Sequence, residues 1–290
     1  MPVPDRAATA APPTPVTRRA AVLGKPVQHS LSPVLHTAAY AALGLAGWHY
    51  GKHECGENEL ADFLVGLGPE WAGLSLTMPL KRVALEVADE ATPAATAIGA
   101  ANTLVFRGAA GRGALAANTD VVGIVEALRE AGVERVQQAV VLGAGGTAQG
   151  ALAALRLLGE TAPTVLVRDT SRVADLEATA ARLDVHPQIQ DGLPHRPLPD
   201  ADVIISTVPS GVADAYASTP WEPGTVVMDV VYSPWPTPLA ASALAAGCRV
   251  ASGLDVLLHQ AVDQVTLMTG RPGPLAQMRA ALAGALRSRG

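Results

Sequence analysis

Lys81 and Asp120 are the residues of this chain whose types and neighbours point most directly to chemistry. Lys81 closes the run Ser75-Leu76-Thr77-Met78-Pro79-Leu80-Lys81, and Asp120 closes Asn118-Thr119-Asp120. Both precede a glycine-rich run, Gly143-Ala144-Gly145-Gly146-Thr147-Ala148. An amine, a carboxylate and a dinucleotide loop are the parts needed to move a hydride and a proton on or off a small carbonyl compound. A lysine is protonated at neutral pH and makes a poor base unless its surroundings change that. The turn after Pro79 places Lys81 in the first turn of a predicted helix, where the dipole disfavours positive charge. Asp120 opens another predicted helix, where negative charge is favoured.

Ser30 and Ser32 stand directly before a third predicted helix. Two hydroxyls plus free N–H groups suit a carboxylate. Simple capping explains Ser32, with Pro33 at the first helical position, but leaves Ser30 without a role.

The glycine run follows the apolar stretch Ala139-Val140-Val141-Leu142 and opens an amphipathic helix, the context in which such a loop holds a pyrophosphate. Gly143 permits the turn, Gly145 lets the backbone approach the phosphates, and Ala148 is small enough for helix–strand packing. Gly146, Ala144 and Thr147 complete the loop at the helix N-terminus. The next strand ends Val167-Arg168-Asp169-Thr170-Ser171-Arg172. Arg168 and Arg172 are spaced to clamp a 2′-phosphate, which favours NADP. Asp169 between them would favour a ribose hydroxyl, and so NAD.

These residues require elements to hold them. Apolar strands are predicted at 20–23, 73–78, 100–106, 139–142, 164–167, 203–206 and 226–229, with Arg107-Gly108 opening a hairpin that returns through Leu115. Helices are predicted at 32–43, 121–131, 147–158, 171–183, 239–246, 254–268 and 274–287. Continuous apolar strands alternating with helices indicate a parallel sheet covered on both faces. The fold class is therefore α/β with two domains. A substrate-binding domain spans 19–119 and 255–290, a Rossmann-type doubly wound nucleotide-binding domain spans 120–254, and the last helices return to the first domain. The cleft between the two is the expected ligand site.

Composition narrows the partners. A net charge of -5 and the lack of a Lys/Arg run give no footprint for nucleic acid. No apolar stretch approaches ~20 residues, so no membrane span is expected. Aromatic residues make up 3% of the chain, so the core must rest on Val, Leu and Ala. The two cysteines, Cys55 and Cys248, are too few for a disulfide framework. Residues 1–18, rich in Ala, Pro and Thr, lack the apolar run of a secretory signal and read as a disordered tail, with a cytoplasmic location following. His49, His53 and Cys55 read as ordinary strand residues, because positions four apart on a strand are about 13 Å apart. No metal is expected, and a homodimer is the candidate assembly.

Six motifs in order carry a resemblance over residues 20–283. They are Gly24-Lys25-Pro26-Val27-Gln28-His29-Ser30-Leu31-Ser32-Pro33, Leu76-Thr77-Met78-Pro79-Leu80-Lys81, Ala101-Asn102-Thr103, Asn118-Thr119-Asp120, the glycine loop, and Gly253-Leu254-Asp255-Val256-Leu257 with Gln260-Ala261. The chain resembles the shikimate dehydrogenase family, which reduces 3-dehydroshikimate to shikimate with NADPH on the route to chorismate and the aromatic amino acids. The resemblance implies that Ser30 and Ser32 hold the substrate carboxylate. It implies that Thr77, Asn102, Asp120 and Gln260 bind ring hydroxyls, that Tyr232 stands near the cleft, and that Lys81 is the general acid/base with Asp120 as its partner. It also places Gly253 at the cofactor. Departures are Ser75 where the family often has Asn, Val167 and Asp169 in the cofactor turn, and Thr147-Ala148-Gln149 where the family often has Ser and Arg. The alternatives are an NAD-dependent quinate/shikimate dehydrogenase and, in another class, a non-catalytic redox sensor. Relatives that use quinate often carry Thr at one of the two serine positions, and a sensor needs neither Lys81 nor Asp120.

Overall fold

The computed structural model of the chain describes residues 15–107 and 113–288. Most of the segment read as a tail, and the tip of the Gly/Ala-rich hairpin, lie outside the described residues. Arg18, assigned to the tail, instead opens the first strand, where its guanidinium lies over the Trp48 ring.

Chain order gives β1 (Arg18–Gly24), α1 (Ser32–Ala42), β2 (Trp48–Glu54), α2 (Leu60–Val65), β3 (Trp71–Leu76), α3 (Val83–Val87), β4 (Glu90–Ala91), α4 (Pro93–Ile98), β5 (Thr103–Phe106), β6 (Ala114–Ala117) and α5 (Asp120–Glu130). It continues with β7 (Ala139–Leu142), α6 (Gly146–Leu157), β8 (Thr164–Val167), α7 (Ala174–Leu183), β9 (Gln188–Asp191), β10 (Val203–Ser206), β11 (Val226–Asp229), α8 (Pro238–Ala245), β12 (Arg249–Ser252), α9 (Gly253–Thr269) and α10 (Leu275–Arg287).

The first sheet has the order β2-β1-β3-β5-β6-β4. Its β2, β1 and β3 run parallel, while β5 is antiparallel to both β3 and β6. The second sheet, β12-β11-β10-β7-β8-β9, is parallel throughout. Its order reverses between β7 and β10, and a doubly wound sheet binds ligand at the carboxyl ends of the strands at that switch. The glycine loop leaves the carboxyl end of β7.

Alternation along β7 shows how the second sheet is covered. Val141 faces the cluster built by Ile124, Leu128, Leu152 and Leu155 of α5 and α6, and Val140 and Leu142 face Leu239 and Ala243 of α8. The C-terminal helices pack on the first helix: Leu31, Leu35 and Ala39 meet Leu258, Ala261 and Val265 of α9 and Met278 and Leu282 of α10.

Some boundaries differ from the sequence expectation. Leu31, not Ser32, occupies the position before α1, and Ser32 is the first helical residue. The helix expected from Ser171 is a short 3-10 turn at Thr170–Arg172 followed by α7. Asp169 accepts bonds from the N–H and hydroxyl of Ser171 and so tightens this turn. Lys81 lies ahead of α3 rather than in its first turn, because the Lys81 carbonyl is used by the Ala101 N–H (2.7 Å), which ties this loop to the start of β5.

Candidate active site

A cleft of about 400 Å³ lies between the two sheets. Ser30, Ser32, Thr77, Lys81, Asn102, Asp120, Tyr232, Gln260, Thr147 and Gly253 all reach its wall. Predicted substrate and catalytic residues from distant parts of the sequence are thus gathered in one place, together with the first turn of the glycine-loop helix.

The Lys81 Nζ lies 2.6 Å from Asp120 Oδ2. The two side chains are 32% and 23% exposed, so the pair is sheltered yet open to a small molecule. Asp120 is held from both ends. Its N–H donates to Asn118 Oδ1 (3.0 Å), and its Oδ1 accepts from Asn102 Nδ2 (2.8 Å). Asn102 is 2% exposed. Its Oδ1 accepts from the Thr119 N–H (2.8 Å), which fixes the amide with its NH₂ towards the carboxylate.

Gln260 joins the group from α9, with its Oε1 3.4 Å from both Asn102 Nδ2 and Thr119 Oγ1. The helices α5 and α9 can approach this closely because residue 123 is glycine. A Cβ there would stand 2.8 Å from the Val256 carbonyl and 3.1 Å from Gln260 Cβ.

Ser30 and Ser32 flank the turn into α1. The Ser32 N–H donates to Ser30 Oγ (3.3 Å), so Ser30 takes the local capping bond that the sequence had assigned to Ser32, and Ser32 has no cap bond of its own. Both hydroxyls reach the cleft. Thr77 packs so tightly on Gly24 that a Cβ there would overlap its methyl group. Its N–H donates to the Leu23 carbonyl (2.9 Å), locking the β3 end beside β1. Tyr232 is 42% exposed at the cleft rim. Packing accounts for Gly253 without any ligand, since a Cβ would overlap the Val230 carbonyl.

In the glycine loop, Gly143 has φ +105 and a Cβ there would meet Thr207 Oγ1 at 2.8 Å, so the turn itself demands glycine. Ala148 is fully buried against the sheet. Gly145 and Gly146 differ: a Cβ at either would meet no protein atom within 4 Å. Protein packing therefore does not require glycine there, whereas a phosphate brought close to the N–H groups of α6 would. Ala144 packs partly against the core. Arg168 and Arg172 are both exposed, and neither forms a salt bridge or side-chain hydrogen bond among the described residues. The Ser171 hydroxyl and N–H hold the Asp169 carboxyl below its ordinary range. Asp169 is therefore committed to its own turn, and the arginines are left as the charges that face solvent. These residues suit an NADP-type dinucleotide.

Gln264 of the cleft wall, and Tyr50, Thr103 and Thr119 buried near it, carry no role that the sequence motifs single out. Gln264 is four residues beyond Gln260, one helical turn along the same face, and that spacing was the available signal. The His49 and His53 rings lean towards each other over Gly51, their Nε2 atoms 3.7 and 3.6 Å from a Cβ placed there, nearer than their Cα spacing implies. Among the described residues no three His, Cys, Asp or Glu side chains group as metal ligands do, and no helix is long and apolar enough to cross a membrane.

Known proteins resemble this chain along most of its length. The family model described as shikimate dehydrogenase substrate binding domain matches residues 22–104, and the one described as shikimate 5'-dehydrogenase C-terminal domain matches residues 253–283. The shikimate dehydrogenase (NADP(+)) of Moorella thermoacetica is 36% identical over 269 residues, 89% of this chain and 90% of its own length. The crystal structure of Mycobacterium tuberculosis shikimate dehydrogenase is 43% identical, covers 92% of this chain and 99% of its own, and superposes with a TM-score of 0.81. The Thermus thermophilus shikimate 5-dehydrogenase, solved in complex with NADP(H) and shikimate, is 30% identical over 92% of this chain and 99% of its own, with a TM-score of 0.76. Identity at this level along nearly the whole length, on the same two-sheet fold, means that the chain belongs to the shikimate dehydrogenase family.

Proposed function

We propose that this chain catalyses the reversible, NADP-dependent interconversion of 3-dehydroshikimate and shikimate. The observation that carries the reading is the Lys81–Asp120 pair at 2.6 Å, in the wall of a cleft that Thr147 of the glycine loop also lines. NADPH, when bound, supplies the hydride. As the substrate carbonyl becomes an alkoxide, the Lys81 ammonium hands it a proton, and Asp120 holds the amine in line. In the reverse direction Lys81 receives the proton. Ser30 and Ser32 take the substrate carboxylate at the head of α1, while Thr77, Asn102, Asp120 and Gln260 take ring hydroxyls. Tyr232 covers the rim. Residues 143–148 would hold the cofactor, with Arg168 and Arg172 for the 2′-phosphate and Gly253 in the cleft wall near Thr147.

The division at 119/120 and 254/255 goes with this reading, since each part then owns one sheet. A cytoplasmic homodimer is the proposed assembly, and light scattering that returned a single-chain mass would reject the dimer.

The test is absorbance of the reduced nicotinamide with shikimate or quinate, each with NADP+ or NAD+. Turnover confined to shikimate with NADP+ is expected. Stronger turnover with quinate or NAD+ would reject the assignment. Lys81→Met should lower kcat by about 10²–10⁴-fold with little change in KM. Wild-type kcat in that variant would remove Lys81 from the chemistry.

A further inference from the structure

We propose that Gln264 is a positioning residue for the Lys81–Asp120 pair, acting through Thr103 and Asn102 along a hydrogen-bonded chain whose links all donate towards Asp120. The inference rests on the reading of Lys81 and Asp120 as the catalytic pair.

Gln264 lies on α9 and is 1% exposed. Its Nε2 donates to Thr103 Oγ1 (3.0 Å) and to the Asn102 carbonyl (3.3 Å). A carbonyl only accepts, so this contact fixes which end of the Gln264 amide faces β5. The Oε1 then faces the other way, 2.7 Å from Ser75 Oγ. An amide oxygen only accepts, so Ser75 donates its single proton here. Tyr50, whose OH is 2.6 Å from Ser75 Oγ, must therefore donate to Ser75. The same logic runs forward from Gln264. Thr103 receives the Gln264 N–H, so its own proton goes to Asn102 Oδ1 (2.9 Å). Asn102, oriented by the Thr119 N–H, donates to Asp120 Oδ1 (2.8 Å).

Two backbone groups thus set the direction of five successive bonds from Tyr50 to Asp120. Bonds that donate in one direction polarise one another, and the effect is larger away from water. Here Tyr50, Ser75, Gln264, Thr103 and Asn102 are each at most 5% exposed. The chain ends on the carboxylate whose other oxygen receives Lys81. His36 supports the central amide. Its Nε2 is 3.2 Å from Gln264 Oε1, and its Nδ1 has no partner, which assigns the proton to Nε2. Ser75 of β3 and Thr103 of β5 stand opposite each other in the first sheet, and the Gln264 amide bridges their hydroxyls from α9.

Loss of Gln264 takes the acceptor from the Ser75 hydroxyl and the donors from Thr103 and the Asn102 carbonyl, so that Thr119 becomes the main brace of the Asn102 amide against Asp120. Misplacing a catalytic pair by a fraction of an ångström lowers the chemical rate before it affects binding of a remote cofactor. Gln264→Leu should lower kcat for shikimate oxidation by about ten- to a hundredfold and leave KM for NADP+ unchanged. Thr103→Val, which breaks the next link and keeps the side-chain shape, should show the same pattern, and it carries the test if Gln264→Leu does not fold. The discriminating measurement repeats each change in a Lys81→Met background. There neither change should lower the residual rate further, because the pair it positions is already gone. A merely structural role would subtract the same factor in both backgrounds, and that additivity would overturn the proposal. So would wild-type kcat in folded Gln264→Leu or Thr103→Val. Wild-type turnover by Lys81→Met alone is a different failure, since it removes the catalytic reading on which the inference rests.

Discussion

His36→Phe is expected to abolish a loss of stability that the native chain suffers as pH falls from neutral. His36 is fully buried on α1, its ring stacked on Tyr50 at 3.9 Å and 18°. Burial disfavours the imidazolium and lowers the pKa from 6.5 to about 3, although the bond to Gln264 works the other way. The rings around it, Tyr40 and Tyr50, are themselves held neutral by burial. Because the folded-state value is the lower one, the unfolded chain takes up a proton first. The stabilisation from keeping His36 neutral is therefore complete above pH 6.5 and is lost progressively between 6.5 and about 3. Between pH 7 and pH 5 this one group should remove about 2 kcal/mol.

The assay is urea unfolding of wild type and His36→Phe at both pH values. Phenylalanine keeps the ring stack, removes the titration and gives up the bond to Gln264, so the variant can differ at pH 7 without affecting the argument. The carboxylates titrate in both proteins and cancel. What matters is the change in the difference, about 2 kcal/mol or a midpoint shift of roughly 0.5–1 M urea, with the wild type losing more. A difference that stayed flat from pH 7 to pH 5 would mean that His36 protonates in the fold, and the buried neutral imidazole beside Gln264 would be wrong.

Three further outcomes follow from the site. Asp120→Asn should lower kcat by about 10²-fold and raise the substrate KM, since it releases both Lys81 and Asn102; wild-type values of both constants would refute the pairing. Arg168→Ala and Arg172→Ala should each raise KM for NADP+ by about tenfold while leaving that for NAD+ nearly unchanged, and an equal effect on the two cofactors would show that neither reads the 2′-phosphate. Gly123→Val should destabilise the fold by about 1–3 kcal/mol and lower kcat as well, because it pushes α9 away from the helix that begins at Asp120; an unchanged melting temperature would refute the close crossing.

The sequence made the local features plain and left the long-range ones hidden. The glycine loop was legible because strand, turn and helix are contiguous, and Val140, Gly143 and Ala148 each state their part in sequence order. The edge strands β9 and β12 were not. Gln188–Asp191 and Arg249–Ser252 lack a continuous apolar run, since an edge strand is only partly covered. The helices α2 and α4, at six residues each, are too short for a periodic pattern to stand out. Lys81 and Asp120 were named from their motifs, but composition and periodicity hold nothing about a contact 39 positions apart. Gln264 was invisible for the same reason. Its partners come from β3 and β5, and a buried glutamine on a mostly apolar helix face carries no mark of what it bonds.

Where each half of the site is anchored separates its two tasks. Lys81 is tied to the start of β5 through the Ala101 N–H, and Asp120 is tied to Asn102 and Asn118, which flank β5 and β6. Both members of the pair therefore belong to the first sheet, although Asp120 opens the helix that leads to the second. The glycine loop belongs to the second sheet, at the carboxyl end of β7. A change in the width of the cleft would move the loop relative to the pair without altering the 2.6 Å contact within it. The geometry of the pair is thus set by the first sheet, independently of the glycine loop. Lesions in residues 143–148 should fall on cofactor KM, whereas lesions along the path from Gln264 to Asp120 should fall on kcat. A glycine-loop variant such as Gly145→Val, with unchanged kcat at saturating NADP+ and a raised KM, would meet that expectation; a fall in kcat alone would mean that the loop and the pair move together.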